Sequence, residues 1–129
     1  MSGNVSAANS RFPKSKRLLK HADFRRVYEN GRRQFTGNMT VFFLRRQGDA
    51  EGARVGLTVG KVLGGAVDRN RIKRRMREAV RLSPRCGSAV DIVFNPRKSV
   101  LGMPFQELVS EVARGLRLAE QRARVAEVK

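Results

Sequence analysis

The amino-acid sequence predicts a mixed α/β fold in a single domain. Segments 39–45 and 54–60 are rich in β-branched and apolar residues, as strands are, whereas the apolar residues of segment 68–82 recur at helical spacing. The chain has 129 residues, of which 40% are hydrophobic and seven are Phe, which is enough for one core but not for two. The predicted order of elements is α-β-β-β-α-β-α.

The first predicted element is a short helix that follows a polar arm. Residues 1–16 are rich in Ser, Asn, Gly and Lys, so we expect a flexible basic arm there. The helix is predicted from Ala22 to Asn30, with Asp23 in its first turn and Gly31 as its stop. Its apolar face consists of Phe24, Val27 and Tyr28. The residues alone leave open whether this face is ordinary core.

Three strands are predicted to follow this helix. They are a short edge strand at Gln34–Thr36, a strand at Met39–Arg45 and a strand at Arg54–Gly60. The third alternates large apolar residues with Gly and Thr, so one of its faces is nearly bare of large side chains. Turn-forming residues at Gln47–Gly52 predict a hairpin loop between the second and third strands.

The segment DRNRIKRRMREAVRL, residues 68–82, predicts an amphipathic helix with a strongly basic surface. Asp68 suits the N-cap position. Four apolar residues fall at i, i+4, i+7 and i+8 and predict a buried stripe: Ile72, Met76, Ala79 and Val80. The other sides carry what we call the basic ridge: Asn70, Arg71, Lys73, Arg74, Arg77 and Arg81. Between positions 69 and 81, seven Arg or Lys stand against one acid, Glu78.

This concentration of charge indicates a polyanionic partner. Arg69 and Arg71 are predicted in the first turn, where a cation opposes the helix dipole at a cost of about 0.3–1 kcal/mol. A phosphate at the helix N-terminus would reverse that cost, because the backbone N–H groups and the guanidinium groups would then point at one anion. A merely solvated basic face is the alternative, but one acid among seven cations is a poor arrangement for solubility alone.

The last two elements are a strand and a helix. The strand is predicted at Ala89–Asn95, before Pro96, and the helix begins near Pro104. Apolar residues of this helix recur at helical spacing: Phe105, Leu108, Val109, Val112 and Leu116. The folded domain is therefore expected to span residues 17–120, and residues 121–129 are predicted as a basic C-terminal tail.

The overall charge favours nucleic acid as the partner. The chain has 28 Lys and Arg against 11 Asp and Glu, a net charge of +17, which predicts RNA or DNA binding that salt weakens. There is no apolar run of about 18 residues and no signal peptide, so a cytoplasmic protein is expected. Cys86, the only cysteine, cannot form an internal disulfide, and His21, the only histidine, cannot build a metal site with it at any familiar spacing. No protein-based catalytic centre is expected.

The segment GGAVDRNRIKRRMREAVR, residues 64–81, closely resembles the protein subunit of bacterial ribonuclease P, whose signature is an Arg-Asn-Arg helix between two strands. The resemblance runs from about Arg17 to Arg117 and includes LKHADFRRVYENG and ARVGLTVGK. It implies an α/β two-layer sandwich with a four-stranded sheet and a left-handed βαβ crossover, an exception to the usual right-handed rule. It also implies that the catalyst is a large RNA, and that the protein helps it to remove the 5′ leader from precursor tRNA.

The resemblance implies roles for particular residues. The Arg-Asn-Arg helix contacts the catalytic RNA and approaches precursor tRNA near the cleavage site, which implies these RNA-binding residues: Lys61, Arg69, Asn70, Arg71, Lys73, Arg74, Arg77 and Arg81. A cleft between the first helix and the sheet holds the single-stranded leader, which implies these cleft residues: Phe24, Tyr28, Phe42 and Thr58. Stacking on aromatic rings is tolerant of sequence, as leaders that differ between tRNAs require.

Partners and cofactors also follow from the resemblance. The partners are the catalytic RNA and precursor tRNA, with no obligate protein partner and no membrane. Mg²⁺ is expected to be bound mainly by the catalytic RNA and not by the protein alone. Three positions depart from the usual pattern of the family: Val62 replaces a frequent Lys, Gly65 replaces a frequent Asn, and His21 stands where a better helix cap is common.

Other functional classes remain as alternatives. A ribosomal protein or a general RNA chaperone could have the same size, charge and fold, but would not need an aromatic cleft beside the basic helix. An autonomous nuclease would need clustered carboxylates or histidines around a metal ion, and the acids here are scattered. A reader of double-stranded DNA could use an Arg-rich helix, but no helix-turn-helix pattern surrounds this one.

Overall fold

The computed structural model describes residues 21–46, 52–84 and 89–128. The described chain contains helices α1 (His21–Asn30), α2 (Ala66–Leu82) and α3 (Phe105–Val128). The strands are β1 (Arg32–Phe35), β2 (Met39–Arg45), β3 (Arg54–Leu57) and β4 (Val90–Pro96). Short 3₁₀ turns lie at Lys61–Leu63 and Lys98–Leu101. The predicted mixed α/β class and the order of its elements are confirmed, while the predicted N-terminal arm and Cys86 lie outside the described residues.

The four strands form one sheet in the order β1-β2-β4-β3. Strand β4 pairs antiparallel with β2 and parallel with β3, so that both Phe43 and Val55 lie opposite Ile92. The predicted hairpin between β2 and β3 is therefore wrong, because β4 lies between them. Residues 90–94 of β4 are all buried, and a strand buried on both faces belongs in the middle of a sheet. The left-handed sense of the β3-α2-β4 crossover stays a prediction.

Strand β3 is shorter than the sequence predicts. It ends at Leu57, and the Thr58 N–H donates one further hydrogen bond to the Phe94 carbonyl at 3.0 Å. The chain then enters the 3₁₀ turn that begins at Lys61, so Val59 and Gly60 leave the sheet. Thr58 is thus held at the edge of the sheet, on the segment that leads through the 3₁₀ turn into the basic helix.

Helices α2 and α3 cover one face of the sheet and form the main core with it. The predicted stripe of α2 is buried in full, as are the inward residues of α3 and the sheet: Leu108, Val112, Val41, Phe43, Ile92 and Phe94. Residues 121–128, predicted as a tail, continue α3. The apolar stripe of α3 extends through Ala119 and Ala123, which are buried, and this burial favours the helix beyond residue 120.

Helix α1 lies on the opposite face of the sheet, where it packs on β2 and β4. Val27 of α1 and Val93 of β4 are fully buried against each other, and three half-buried residues surround them: Phe24, Phe42 and Leu44. Gly31 ends the helix, and its N–H donates to the Val27 carbonyl at 2.8 Å. A Cβ at Gly31 would lie 2.5 Å from the Val27 and Phe43 carbonyl oxygens, so only glycine fits this close turn into β1.

Candidate nucleic-acid interface

The basic ridge occupies the solvent face of α2. Four of its residues are exposed, and Lys73 and Arg81 are half-buried; the exposed ones are Asn70, Arg71, Arg74 and Arg77. Lys61 is exposed on the 3₁₀ turn that precedes the helix. The opposite stripe of α2 is buried against the sheet, so by helix spacing Asn70, Arg74, Arg77 and Arg81 lie on the outward side. Arg71 and Lys73 flank them. The ridge can therefore contact several phosphates along an RNA backbone.

The start of α2 differs from the prediction. The helix begins at Ala66, its N-cap is Gly65 in extended backbone, and Asp68 lies in the first turn, so the prediction of Asp68 as N-cap is wrong. Gly64 has a φ of 129°, which glycine adopts readily and which lets the chain enter the helix early. The Arg69 N–H already donates to the Gly65 carbonyl at 3.0 Å.

This earlier start moves the Arg-Asn-Arg motif away from the helix terminus. By helix geometry, the backbone N–H groups without an intrahelical acceptor are those of residues 65–68. Arg69 is the fourth helical residue and Arg71 the sixth, so placing both in the first turn is wrong. Arg69 is half-buried, and its Nε has no hydrogen-bond partner within the described parts of the chain. The side chains of the motif thus contribute charge, while the free terminal N–H groups belong to the residues directly before it.

Arg81 is the one ridge residue for which the structure gives an acidic partner on the same helix. Its Nε donates to Glu78 Oε1 at 3.0 Å, and its terminal nitrogen donates to Oε2. The hydrogen bond from Arg81 lowers the pKa of the Glu78 carboxyl. Glu78 therefore balances the charge of Arg81, and the net positive charge of the ridge lies nearer its N-terminal end, at Arg71, Lys73, Arg74 and Arg77.

Three of the predicted cleft residues meet between α1 and the sheet. The Tyr28 ring lies 4.8 Å from the Phe42 ring, centroid to centroid, with an edge-to-face angle of 87°. The Tyr28 hydroxyl lies 2.7 Å from Thr58 Oγ1 and donates to Asn95 Oδ1 at 3.0 Å, so Thr58 is the donor to Tyr28. Tyr28 is 38% exposed, while Phe42 and Thr58 are half-buried.

We call Phe24, Tyr28, Phe42 and Thr58 the aromatic cleft. Phe24 lies one turn before Tyr28 and packs against Val27 and Val93, so it contributes to the core as well as to the cleft wall. Tyr28 presents the accessible ring, held by two polar contacts and one aromatic contact. A ring fixed in this way can stack on a base with little loss of conformational freedom.

The sequence prediction missed Asn95, which orients the Tyr28 hydroxyl. Asn95 lies opposite Thr40 in the β2–β4 pair, on the face that α1 covers. The alternation of Asp91, Val93 and Asn95 along the strand places all three on that face and could have identified it.

A buried cluster of charges attaches α1 to the sheet beside the cleft, and the sequence prediction missed it too. Asp91 of β4 is fully buried and accepts hydrogen bonds from three arginines: Arg26 at 3.0 Å, Arg46 at 3.1 Å and Arg54 at 2.8 Å. Asp23 of α1 accepts from Arg26 at 3.0 Å and from Arg54 at 3.3 Å. The hydrogen bond to Asp91 raises the pKa of the Arg54 guanidinium.

This Asp91 cluster links α1, β3, β4 and the end of β2. Because Arg26 and Tyr28 are on the same short helix, the cluster sets the position of the Tyr28 ring over the sheet. The sequence signal for it is an aspartate within the otherwise apolar strand segment AVDIVFN. A buried carboxylate requires cationic partners, and the arginines at the surrounding strand and helix ends provide them.

The described residues contain no group of three or more His, Cys, Asp or Glu side chains placed to hold a metal ion. His21 is exposed at the start of α1. Within the same residues, no helix is both long and apolar enough to span a membrane.

Comparison with known proteins identifies the family. A family model described as Ribonuclease P matches residues 12–120. The ribonuclease P protein component of Gluconacetobacter diazotrophicus is 41% identical over 105 residues, which cover 80% of this chain and 90% of that protein. The RNase P protein of Staphylococcus aureus has a TM-score of 0.69 at 30% identity, with 83% of this chain and 97% of that chain covered. That of Thermotoga maritima has a TM-score of 0.63 at 26% identity, with 81% and 96% covered. The chain therefore belongs to the ribonuclease P protein family.

Proposed function

We propose that this protein is the protein component of a cytoplasmic ribonuclease P, in which it binds the catalytic RNA and the 5′ leader of precursor tRNA. The observation that carries the proposal is the partly exposed Tyr28 ring, held against Phe42 and by Thr58 and Asn95 within a strongly basic chain. Membership of the family supports the same role. The holoenzyme needs no further protein partner in this proposal.

The two surfaces have different tasks in this proposal. The basic ridge, with Lys61 and Arg69, contacts the phosphates of the catalytic RNA and of precursor tRNA near the cleavage site. The aromatic cleft stacks leader bases, at about 1–3 kcal/mol for each base and with little dependence on sequence. The hydroxyl and amide groups of Thr58 and Asn95 contact the sugar or the base edges.

The protein raises the rate of cleavage by positioning its substrate. Contact with the leader holds the scissile phosphate in a productive position, which lowers the entropic part of the barrier. Mg²⁺, bound mainly by the catalytic RNA, would activate the attacking water and stabilise the developing charge there. The described side chains of the protein bind and orient RNA and do not enter the chemical step.

A ribosomal protein or RNA chaperone is the second candidate, and the exposed row of cations on α2 favours it as well. Those functions require the basic ridge but not a polar and aromatic cleft on the other face of the sheet. The two candidates therefore differ in one measurable property, which is dependence on the tRNA leader.

The first experiment measures cleavage of 5′-labelled precursor tRNA by the catalytic RNA of the same organism at low Mg²⁺, with and without the protein. We expect strong stimulation that grows as the leader is lengthened, because longer leaders fill the cleft. Mature tRNA should bind the holoenzyme more weakly than precursor tRNA. Absence of stimulation by folded, RNA-binding protein would reject the proposal and favour the ribosomal or chaperone function.

The cleft itself is tested by Tyr28→Leu, which removes the phenol ring and its hydroxyl from a side chain at the surface. We expect the preference of the holoenzyme for precursor over mature tRNA to fall by about 5-fold to 150-fold, the equivalent of one stacked base. Binding of mature tRNA should not change. Glu29→Leu, which alters the next exposed residue of α1, is the matched control and should retain the preference. An unaltered preference in folded Tyr28→Leu protein would remove Tyr28 from the leader site.

A further inference from the structure

An exposed aromatic ring lies outside the aromatic cleft, on the edge strand β1. Phe35 is 54% exposed, and the guanidinium carbon of Arg33 lies 5.5 Å from the centre of its ring. The ring is not part of either apolar cluster of the described structure. Single apolar side chains are common on protein surfaces, but this one has a guanidinium group placed over its ring.

The pairing of β1 with β2 places this ring on the same face of the sheet as the cleft. Arg33 lies opposite Phe42, and Phe35 lies opposite Thr40, so all four side chains share the face on which α1 packs. Phe35 and Phe42 are diagonal neighbours, at a spacing of about 7–8 Å that is within reach of aromatic side chains. The Tyr28, Phe42 and Phe35 rings therefore follow one another from α1 towards the free edge of β1.

The backbone next to Phe35 is held firmly by α3. The buried carboxylate of Glu111 accepts hydrogen bonds from Thr36 Oγ1 at 2.7 Å, from the Asn38 N–H at 2.8 Å and from Asn38 Nδ2 at 2.8 Å. Arg114 donates to the Thr36 carbonyl at 3.2 Å. The turn that follows Phe35 is thus fixed, and a ligand would meet a pre-organised ring at a small entropic cost.

The surroundings of Phe35 favour RNA over a protein partner. Arg32 and Arg33 precede the ring on the strand and both are exposed, and the whole chain carries +17. A single ring beside the Arg33 guanidinium, with Arg32 on the other face of the strand, is not the contiguous apolar patch that a protein interface requires. Bases stacked on an aromatic ring, with arginines at the neighbouring phosphates, are the usual arrangement for single-stranded nucleic acid.

The order of the strands places Phe35 and the start of the basic helix on opposite sides of the aromatic cleft. Thr58 is beside the β3 edge of the sheet, on the segment that leads into the basic helix, whereas Phe35 is on β1 at the other edge. A strand that starts near α2 and enters the aromatic cleft would reach Phe35 only after leaving Phe42. We propose that Arg33 and Phe35 form a second base-stacking site, which binds leader nucleotides farther from the cleavage site than those in the aromatic cleft. This inference rests on the proposed function.

The test uses the reconstituted holoenzyme and precursor tRNAs whose leaders are lengthened by one nucleotide at a time. For the unaltered protein, we expect affinity to rise in two stages, the first when the leader fills the cleft and the second when it reaches Phe35. Phe35→Ala should lose the second stage, so that its affinity for long leaders is about 5-fold to 150-fold lower than that of the unaltered protein. Phe35→Trp, which keeps an aromatic ring, should retain the second stage. Leu82→Ala, which truncates a side chain that is 48% exposed on α2, is the control and should bind every leader as the unaltered protein does.

The possible failures differ from one another. If Phe35→Ala binds all leaders normally while Tyr28→Leu does not, the second site is wrong and the proposed function stands. If Phe35→Ala weakens binding of the catalytic RNA without any leader, the ring contacts that RNA and the assignment to the leader is overturned. If leader length has no effect even on the unaltered protein, the proposed function fails together with this inference.

Discussion

Replacement of Asp91 by Ala is expected to lower the free energy of unfolding by about 3–5 kcal/mol, because it removes a buried carboxylate and leaves its cationic partners in place. Arg26 and Arg54 would retain Asp23 as an acceptor. Among the described residues, Arg46 would retain only the Gly52 and Val90 carbonyls as acceptors, and its side chain is 9% exposed. The loss of stability should therefore come mainly from the charge of Arg46. Urea unfolding monitored by circular dichroism measures it.

An exposed ion pair on α1 provides the control for this substitution. Arg25 and Glu29 lie 3.7 Å apart with most of both side chains in solvent. Glu29→Ala should change the free energy of unfolding by no more than about 0.5 kcal/mol, as is usual for exposed pairs on one helix. A similarly small effect of Asp91→Ala would mean that water reaches Arg46 and that the Asp91 cluster is not what attaches α1.

Replacement of both Arg74 and Arg77 by Ala is expected to weaken binding of the catalytic RNA by roughly 100-fold, since each charge-assisted contact with a phosphate contributes about 1.5 kcal/mol. The slope of log K against log salt concentration should also become shallower by about 0.7–0.9 for each arginine, because fewer counterions are released on binding. Both side chains are exposed, so the fold should be retained. Filter binding over a range of salt concentrations gives the affinity and the slope together.

A charge-matched control separates the ridge from net charge. Arg117→Ala with Arg122→Ala also removes two exposed cations, but from α3. If the basic ridge is the phosphate contact, this second pair should change affinity much less. Equal losses in both double variants would show that overall charge controls RNA binding, and an unaltered salt slope for the Arg74 and Arg77 variant would exclude them as phosphate contacts.

The amphipathic character of α2 could be read from the sequence because it depends on local periodicity. Ile72, Met76, Ala79 and Val80 are all buried, as their spacing predicts, and the basic ridge is on the other sides. The start of the helix was predicted less well. The Asp68 side chain satisfied the usual rule for a cap, but the flexible backbone at Gly64 and Gly65 starts the helix at Ala66.

The identity of the cleft residues came from the family resemblance, and their arrangement came from the fold. Spacing on α1 placed Phe24, Val27 and Tyr28 on one face without showing which of them is exposed. In the structure Val27 is fully buried, Phe24 is half-buried and Tyr28 is the most exposed of the three. That difference arises because α1 packs on β2 and β4 with the Val27 side of its apolar face against Val93, while the Tyr28 side is turned more towards solvent.

The sequence by itself determined the mixed α/β class, the order of the elements and the basic face of α2, because each depends on residues close together in the chain. Only the tertiary structure decided that β4 lies between β2 and β3, that Asp91 gathers three arginines, and that Phe35 lies in line with Phe42 and Tyr28. Which strands become neighbours depends on which arrangement buries the apolar faces of all the helices and strands together. Contacts between residues distant in sequence follow from that choice and leave no local periodicity to read.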